Sequence, residues 1–219
     1  MIYFVGTSFA PIHLRIAATL RGLKIAEKIG DADLVFISED TPVKASGERD
    51  LQPIRQLIIQ TVLCDAHPEA TIVLTSQVPP GFTRATGGGR LYHMSETLRV
   101  KDAAERALHP EQFIVGCLNP EKPLPLVFLN YLIAFNCPVF QVSYEEAEFA
   151  KIAINMTLAA QVDNANHLSA VAARVGANWE KVANILRHDR RIGHYSYLEP
   201  GDWKQSPHLL RDYMTIKNL

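Results

Sequence analysis

Short, unbroken apolar runs alternate with longer amphipathic ones through the first two thirds of this chain. Ile2–Val5 ends at Gly6. Leu34–Ile37 and Thr71–Leu74 show no polar alternation, and residues 113–116 and 138–141 are two further runs of the same kind. Such runs read as strands covered on both faces. Between them, residues 12–29 read as a helix with Ile12, Ile16, Leu20 and Leu23 on one stripe, expected to face the core. Residues 51–64 read as a second helix, with Ile54, Leu57, Ile58 and Val62 inward, and residues 126–135 as a third. Strands alternating with helices predict an α/β fold on a parallel sheet.

The pattern changes near Ser143. From 144 to 175 there is no Gly or Pro and Ala is frequent, which predicts one long helix with Gly176 as its C′ residue. A shorter helix is expected at 179–186. After Arg191 the chain reads as irregular, with Pro200-Gly201 and Pro207 as breakers. The expected division is a sheet domain at 1–142 and an all-helical domain at 143–219. The long helix has more apolar surface than a small sheet can cover, so a homodimer through 144–175 is expected.

Charge and composition narrow the class. Of 219 residues, 47% are apolar and 21% charged, as expected for a soluble globular protein. A net charge of -1 gives no electrostatic reason to expect a nucleic-acid partner. No apolar run is long enough for a membrane span. The start lacks the basic and long apolar segments of a signal peptide, so a cytoplasmic protein is expected. Cys64, Cys117 and Cys137 are far apart and are expected to be free thiols rather than disulfides or zinc ligands. The spacing of His188, His194 and His208 does not suggest a metal site, and Gly87-Gly88-Gly89-Arg90 reads as a loop tip.

The candidate chemistry lies in Lys151 and Asn155. Four residues apart, they share one face of the long helix and together can grip and polarise one oxygen atom. The turn Gly6-Thr7-Ser8-Phe9-Ala10-Pro11 sits where the phosphate loop of a Rossmann fold follows the first strand. That loop needs three glycines, and only Gly6 is present. Ser8 and Pro11 hold the other two positions. The second strand and the acid that would hold an adenine ribose are also missing from the pattern.

Several segments, in order along the chain, resemble the UDP-glucose/GDP-mannose dehydrogenase family. They are residues 32–37 with Thr41-Pro42, the loop Ser76-Gln77-Val78-Pro79-Pro80-Gly81, and Ser95-Glu96-Thr97-Leu98-Arg99. Further along come Ala147-Glu148-Phe149-Ala150-Lys151 through Asn155, then Gly176-Ala177, and Asp189-Arg190-Arg191-Ile192-Gly193. The series covers most of this chain but only the first half to two thirds of a family member. The resemblance implies a shortened Rossmann-like domain followed by a helical dimerisation region. It implies NAD as cofactor, contacted at Gly6, Thr7, Ser8, Thr41, Pro42 and Ser76. It implies a nucleotide-sugar substrate, with Lys151, Asn155, Glu96 and Asp212 catalytic. Lys151 would be the proton acceptor if burial depresses its pKa, Asn155 would hold the substrate oxygen, and Glu96 would pair with Lys151. Asp212 would orient Lys151 or a water.

Residues 200–212 also align without a gap to the family's Gly-rich cysteine loop, and there His208 stands in the cysteine's place. The family's second oxidation needs a thiohemiacetal on that cysteine, a role imidazole does not readily fill. Gln77 stands for the loop threonine. At most one alcohol-to-carbonyl hydride transfer is therefore expected. The alternative is a catalytically inactive dimeric binding or regulatory relative, in which Lys151 and Asn155 are polar residues satisfied by Glu96 and Asp212.

Overall fold

The computed structural model describes residues 1–6, 8–44, 48–87, 89–99 and 101–219. Thr7, expected to touch the cofactor, and Gly88 lie outside the described residues. Six strands are described: β1 (Ile2–Val5), β2 (Leu34–Ile37), β3 (Thr71–Leu74), β4 (Leu91–Ser95), β5 (Phe113–Cys117) and β6 (Val139–Ser143). The helices are α1 (Phe9–Leu20), α2 (Gln52–Gln60), α3 (Phe82–Thr86), α4 (Ala103–Leu108), α5 (Leu126–Ile133), α6 (Tyr144–Arg174), α7 (Trp179–His188) and α8 (Pro207–Lys217). The chain divides into two compact units, Met1–Lys151 and Ile152–Leu219, and the division falls inside α6.

The first unit is an α/β, Rossmann-like layer structure. Its strands lie in the order β1-β2-β3-β4-β5-β6. β1 to β4 are parallel, with Ile2 opposite Leu34, Leu34 opposite Thr71 and Ile72 opposite Leu91. β5 runs antiparallel to β4, and β6 is parallel to β5. The sheet is thus mixed rather than wholly parallel. β4 escapes a search for unbroken apolar runs because Tyr92, His93 and Ser95 interrupt it. The alternation of side chains across the sheet builds two cores. Leu34 and Phe36 point to one face, where Phe36 lies 4.6 Å from the Tyr131 ring of α5 and α1 adds Ala17 and Ala18. Val35 and Ile37 point to the other, where Ile54 and Ile58 of α2 cover them.

α1 departs from expectation in its span and its orientation. It ends at Arg21 because Gly22 takes φ +74°, a left-handed C′ conformation, and Leu23 N–H bonds back to Ala18 O at 3.0 Å. Its buried residues are Ala10, Pro11, Leu14, Ala17 and Ala18. The predicted stripe of Ile12, Ile16 and Leu20 faces outward, these residues being 57%, 49% and 66% exposed. Small alanines let the helix sit close on the sheet, so the bulky stripe is left outside.

After α1 the chain returns to the outer edge of β1. Ile2 N–H bonds to Lys24 O at 2.9 Å and Ala26 N–H to Ile2 O at 2.8 Å, one parallel bridge at the amino end of β1. The chain then leaves through a 3-10 turn at Ile29–Asp31 and crosses to β2 on the opposite side. The direction of travel therefore reverses at β1, which is the switch point where open α/β sheets bind ligands.

α6 begins with a capping box. Glu146 N–H reaches Ser143 Oγ at 3.3 Å, and Ser143 N–H donates to the Glu146 carboxylate at 2.7 Å. In the second unit α6 ends as expected, with Ala177 N–H on Ala172 O at 2.9 Å beyond Gly176. Asn178 caps α7 through Lys181 N–H at 3.0 Å. Trp203 Nε1 donates to Asp163 at 2.9 Å, and Asn166 exchanges two 2.8 Å bonds with the backbone of Gly201. The segment after Arg191 is not irregular throughout. Pro207 opens an eleven-residue helix, α8, since proline at the first helical position sacrifices a donor that would have had no partner anyway.

Candidate functional site

The loops at the carboxyl ends of β1, β2 and β3 converge. Gly6 has φ +115°, and a Cβ there would lie 1.6 Å from the Ser38 carbonyl oxygen, so only glycine fits this turn. Ser38 N–H bonds Val5 O at 3.0 Å, and the Ser8 and Ser38 hydroxyls are 3.2 Å apart. Ser76 Oγ donates to Glu39 O and accepts Glu39 N–H, both at 2.7 Å. Thr41 Oγ1 donates to Gln77 O at 2.8 Å, and Arg49 donates to the same oxygen at 3.1 Å. Thr41 and Ser76 are buried, and Pro42 follows directly. The Thr41 and Ser76 hydroxyls, both expected to touch a cofactor, thus lace the β2 loop to the β3 loop.

These residues can be compared with what a dinucleotide requires. Gly6 meets the need for a tight first turn. Pro11 falls in the first turn of α1 and removes one of the N–H donors that would face a pyrophosphate. On the edge of β1 away from β2, the segment paired among the described residues is Lys24–Ala26, level with Ile2 at the strand's amino end. Three residues of β1, each rising about 3.3 Å, separate that level from Val5. Among the described residues, no acidic residue is therefore carried by a second strand to the edge beside Gly6, where the ribose hydroxyls of a dinucleotide are held. The residues present do not fit the adenosine half of NAD.

A second cluster surrounds Lys151. A tight cleft, without room for a water molecule, is lined by Gln77, His93, Ser95, Glu96, Glu148 and Lys151, among others. The structure thus brings Glu96 and Lys151 to the same cleft. One Glu96 oxygen accepts Leu98 N–H at 2.8 Å, which shapes the turn after β4.

Three cleft residues had no role in the sequence reading. Glu148 is 1% exposed and accepts two backbone N–H groups, Gly81 at 2.6 Å and Thr83 at 2.8 Å. Burial pushes its carboxyl above the usual range, against the pull of those donors. Beside it, Arg84 and Glu145 form a two-pronged pair at 2.5 and 2.9 Å. Ser95 Oγ donates to Ala147 O at 2.8 Å, so it accepts from His93 Nε2 at 3.0 Å, which fixes the tautomer with the proton on Nε2. His93 Nδ1 is then a buried acceptor without a hydrogen-bond partner. Burial lowers the His93 pKa to about 3. Ala147 O also receives the Lys151 backbone N–H in the regular helix. The His93–Ser95 pair therefore secures the helical turn from which Lys151 projects. A polar pair two apart on a strand was the available sequence signal.

In the second unit, Asn155 Nδ2 donates to Asp212 at 2.6 Å, and Asp212 is fully buried. Asp212 lies on α8, one residue after Arg211, whose guanidinium is 3.4 Å from His208 Nδ1. Among the described residues, no cluster of three or more His, Cys, Asp or Glu could hold a metal, and no helix is long and apolar enough to cross a membrane.

Comparison with known proteins agrees with this architecture. Residues 145–203 match the central domain of the UDP-glucose/GDP-mannose dehydrogenase family. UDP-glucose 6-dehydrogenase YwqF of Bacillus subtilis is 27% identical over 176 residues, covering 75% of this chain and 39% of that protein. The UDP-glucose 6-dehydrogenase of Rickettsia typhi is 27% identical over 198 residues, covering 86% and 45%. This chain thus spans less than half the length of those two relatives. The structure of a UDP-glucose dehydrogenase from the archaeon Pyrobaculum islandicum shares the fold, with a TM-score of 0.72 over 99% of this chain and 67% of that one at 18% identity. The resemblance read from the motifs agrees with the match of residues 145–203 to the central domain of that family and with the similarity to UDP-glucose 6-dehydrogenases.

Proposed function

We propose that this relative of the UDP-glucose/GDP-mannose dehydrogenases is a dimeric binding or regulatory protein. It keeps the sugar-facing polar groups of the parent site and does not by itself carry out an NAD-linked oxidation. The observation that carries this reading is the carboxyl end of β1. Only Gly6 of the phosphate loop remains, Pro11 removes a donor, and the bridge at Ile25 ends three residues short of the place where a ribose-binding acid belongs. Thr41 and Ser76 are occupied in holding two loops together. His208 in the place of the family's cysteine supports the same reading. The retained Lys151 and Glu96, which line one cleft of the first unit, would bind the hydroxyl groups of a nucleotide sugar. Dimerisation would run along 144–175. A cytoplasmic location fits the free thiols of Cys64, Cys117 and Cys137.

A second reading, NAD-dependent oxidation of a single alcohol to a carbonyl, is favoured by one observation: Lys151 and Glu96 line one cleft. Calorimetric titration with NAD, NADH, UDP-glucose and GDP-mannose separates the two. The first reading expects saturable heat with a nucleotide sugar, lost in Lys151→Ala, and none with either dinucleotide at millimolar concentration. Saturable NAD binding together with NADH production would overturn it in favour of the second.

A further inference from the structure

The carboxyl end of β4 carries two polar side chains on one face. His93 and Ser95 are two apart and point together, while Met94 between them enters the core that holds Phe128 and Tyr131. The start of α6 lies close against this end of the sheet. Gly116 of β5 stands opposite His93, and a Cβ there would lie 2.8 Å from Ala147 Cβ and 3.1 Å from Tyr144 Cα. Only glycine leaves room for the first turn of α6 at that distance. The helix is then pinned to β4 at two points. The Tyr144 hydroxyl donates to Leu91 O at the amino end of the strand, and Ser95 Oγ donates to Ala147 O at 2.8 Å near its carboxyl end. Glu96 directly follows Ser95, and Lys151 stands one turn after Ala147. The second pin therefore joins the immediate supports of two cleft residues.

We infer that His93 and Ser95 are positioning residues for Lys151, acting through Ala147 to hold its ammonium at the spacing from Glu96 at which one ligand hydroxyl can bond to both. The ligand in this statement rests on the binding reading above. Of the residues lining the cleft, His93, Ser95 and Glu148 are buried, whereas Glu96 and Lys151 keep part of their surface in solvent. A ligand thus meets Glu96 and Lys151, and the buried pair acts from beneath them. A hydroxyl accepts from an ammonium and donates to a carboxylate only when each lies within about 3 Å. Holding two groups for such a contact takes a precision of about 0.5 Å. A serine hydroxyl has one proton and a free rotor. The His93 Nε2 proton, 3.0 Å from Ser95 Oγ, occupies that oxygen as an acceptor and leaves the hydroxyl proton to Ala147 O. Stability alone would favour an apolar pair at these positions. His93 Nδ1 is buried without a hydrogen-bond partner, and an unpaired buried acceptor destabilises a fold.

The test separates positioning from stability. The full chain, labelled with carbon-13 at lysine Cε, is titrated by NMR as wild type, His93→Gln and the double variant His93→Leu/Ser95→Ala, with Lys151→Arg to assign the signal. Melting temperatures and calorimetric titrations with UDP-glucose and GDP-mannose are measured on the same proteins. The double variant removes both polar groups together, which leaves stability nearly unchanged. The inference expects its Lys151 titration midpoint to shift and its affinity for the nucleotide sugar to fall about tenfold, the weight of one well-placed hydrogen bond. His93→Gln keeps an N–H donor for Ser95 and should retain the wild-type midpoint and affinity. An unchanged midpoint in the double variant would overturn the inference. So would a shift of equal size in His93→Gln, or a shifted midpoint with full affinity for a sugar that the wild type binds. If the wild type binds neither nucleotide sugar, the functional reading falls, and the midpoints still decide whether His93 and Ser95 position Lys151.

Discussion

Replacing Glu148 with alanine should destabilise the first unit substantially. Its carboxylate is 1% exposed and is the acceptor for two backbone N–H groups, those of Gly81 and Thr83. They open the short helix α3 and have no helical partner of their own. Removing the carboxylate leaves two buried donors unpaired, at about 1–3 kcal/mol each. The relief of its own desolvation, which raises its pKa, offsets part of this loss. A net loss of about 3 kcal/mol follows, equivalent to a melting point lower by about 6–12 °C for a unit of this size. Glu148→Gln keeps one acceptor and turns an amide N–H toward the other donor, so it should lose about 2 kcal/mol. The assay is urea denaturation followed by far-UV circular dichroism. Trp fluorescence is read in parallel, because Trp179 and Trp203 both lie in the second unit. A loss below about 0.5 kcal/mol for Glu148→Ala, within the range of ordinary surface substitutions, would refute the claim that this carboxylate holds the loop.

Gly6→Ala should cost about 3 kcal/mol or more, because it combines a positive φ with a backbone clash; soluble yield and melting temperature measure it. His93 should stay neutral in two-dimensional NMR from pH 8 down to pH 4, while exposed histidines titrate. Its folded pKa lies below the unfolded value near 6.5, so the unfolded chain binds the proton first as pH falls. Stability from this group is therefore complete above pH 6.5 and declines by about 1.4 kcal/mol per pH unit toward pH 3. An acid-denaturation series on wild type and His93→Gln, with a shallower slope for the variant, checks the sign. Asp212→Ala should cost about 2–3 kcal/mol by leaving the Asn155 amide without its 2.6 Å acceptor. Trp fluorescence reads that loss directly in the second unit.

Much of the layer structure was legible along the chain. Apolar runs located β1, β2, β3, β5 and β6; β2, β3 and β5 are buried along their whole length, whereas β6 at the sheet edge leaves Val139 and Phe140 exposed. The run from 144 to 175 without Gly or Pro marked α6. Its ordered motifs carried a family relationship that the comparisons uphold. Local chemistry sufficed for each of these features. α8 was missed for a local reason too, since Pro207 was read only as a breaker when the same ring constraint also starts helices.

Tertiary structure decided what the pattern could not. Periodicity shows that α1 has a bulky stripe and an alanine-rich one, but not which of them the sheet receives. Close packing chose the alanines and left Ile12, Ile16 and Leu20 outside. Hydroxyls that a motif assigns to a ligand can bond to the protein instead. Thr41 does so with Gln77, and Ser76 with Glu39, across 36 and 37 residues of chain. The support of Lys151 by His93, Ser95 and Ala147 spans more than fifty residues. Sequence thus determined the elements and the kinship of this protein, because both rest on local patterns. The orientation of faces and the partners of buried polar groups depend on contacts between distant segments, so only the folded chain fixed them.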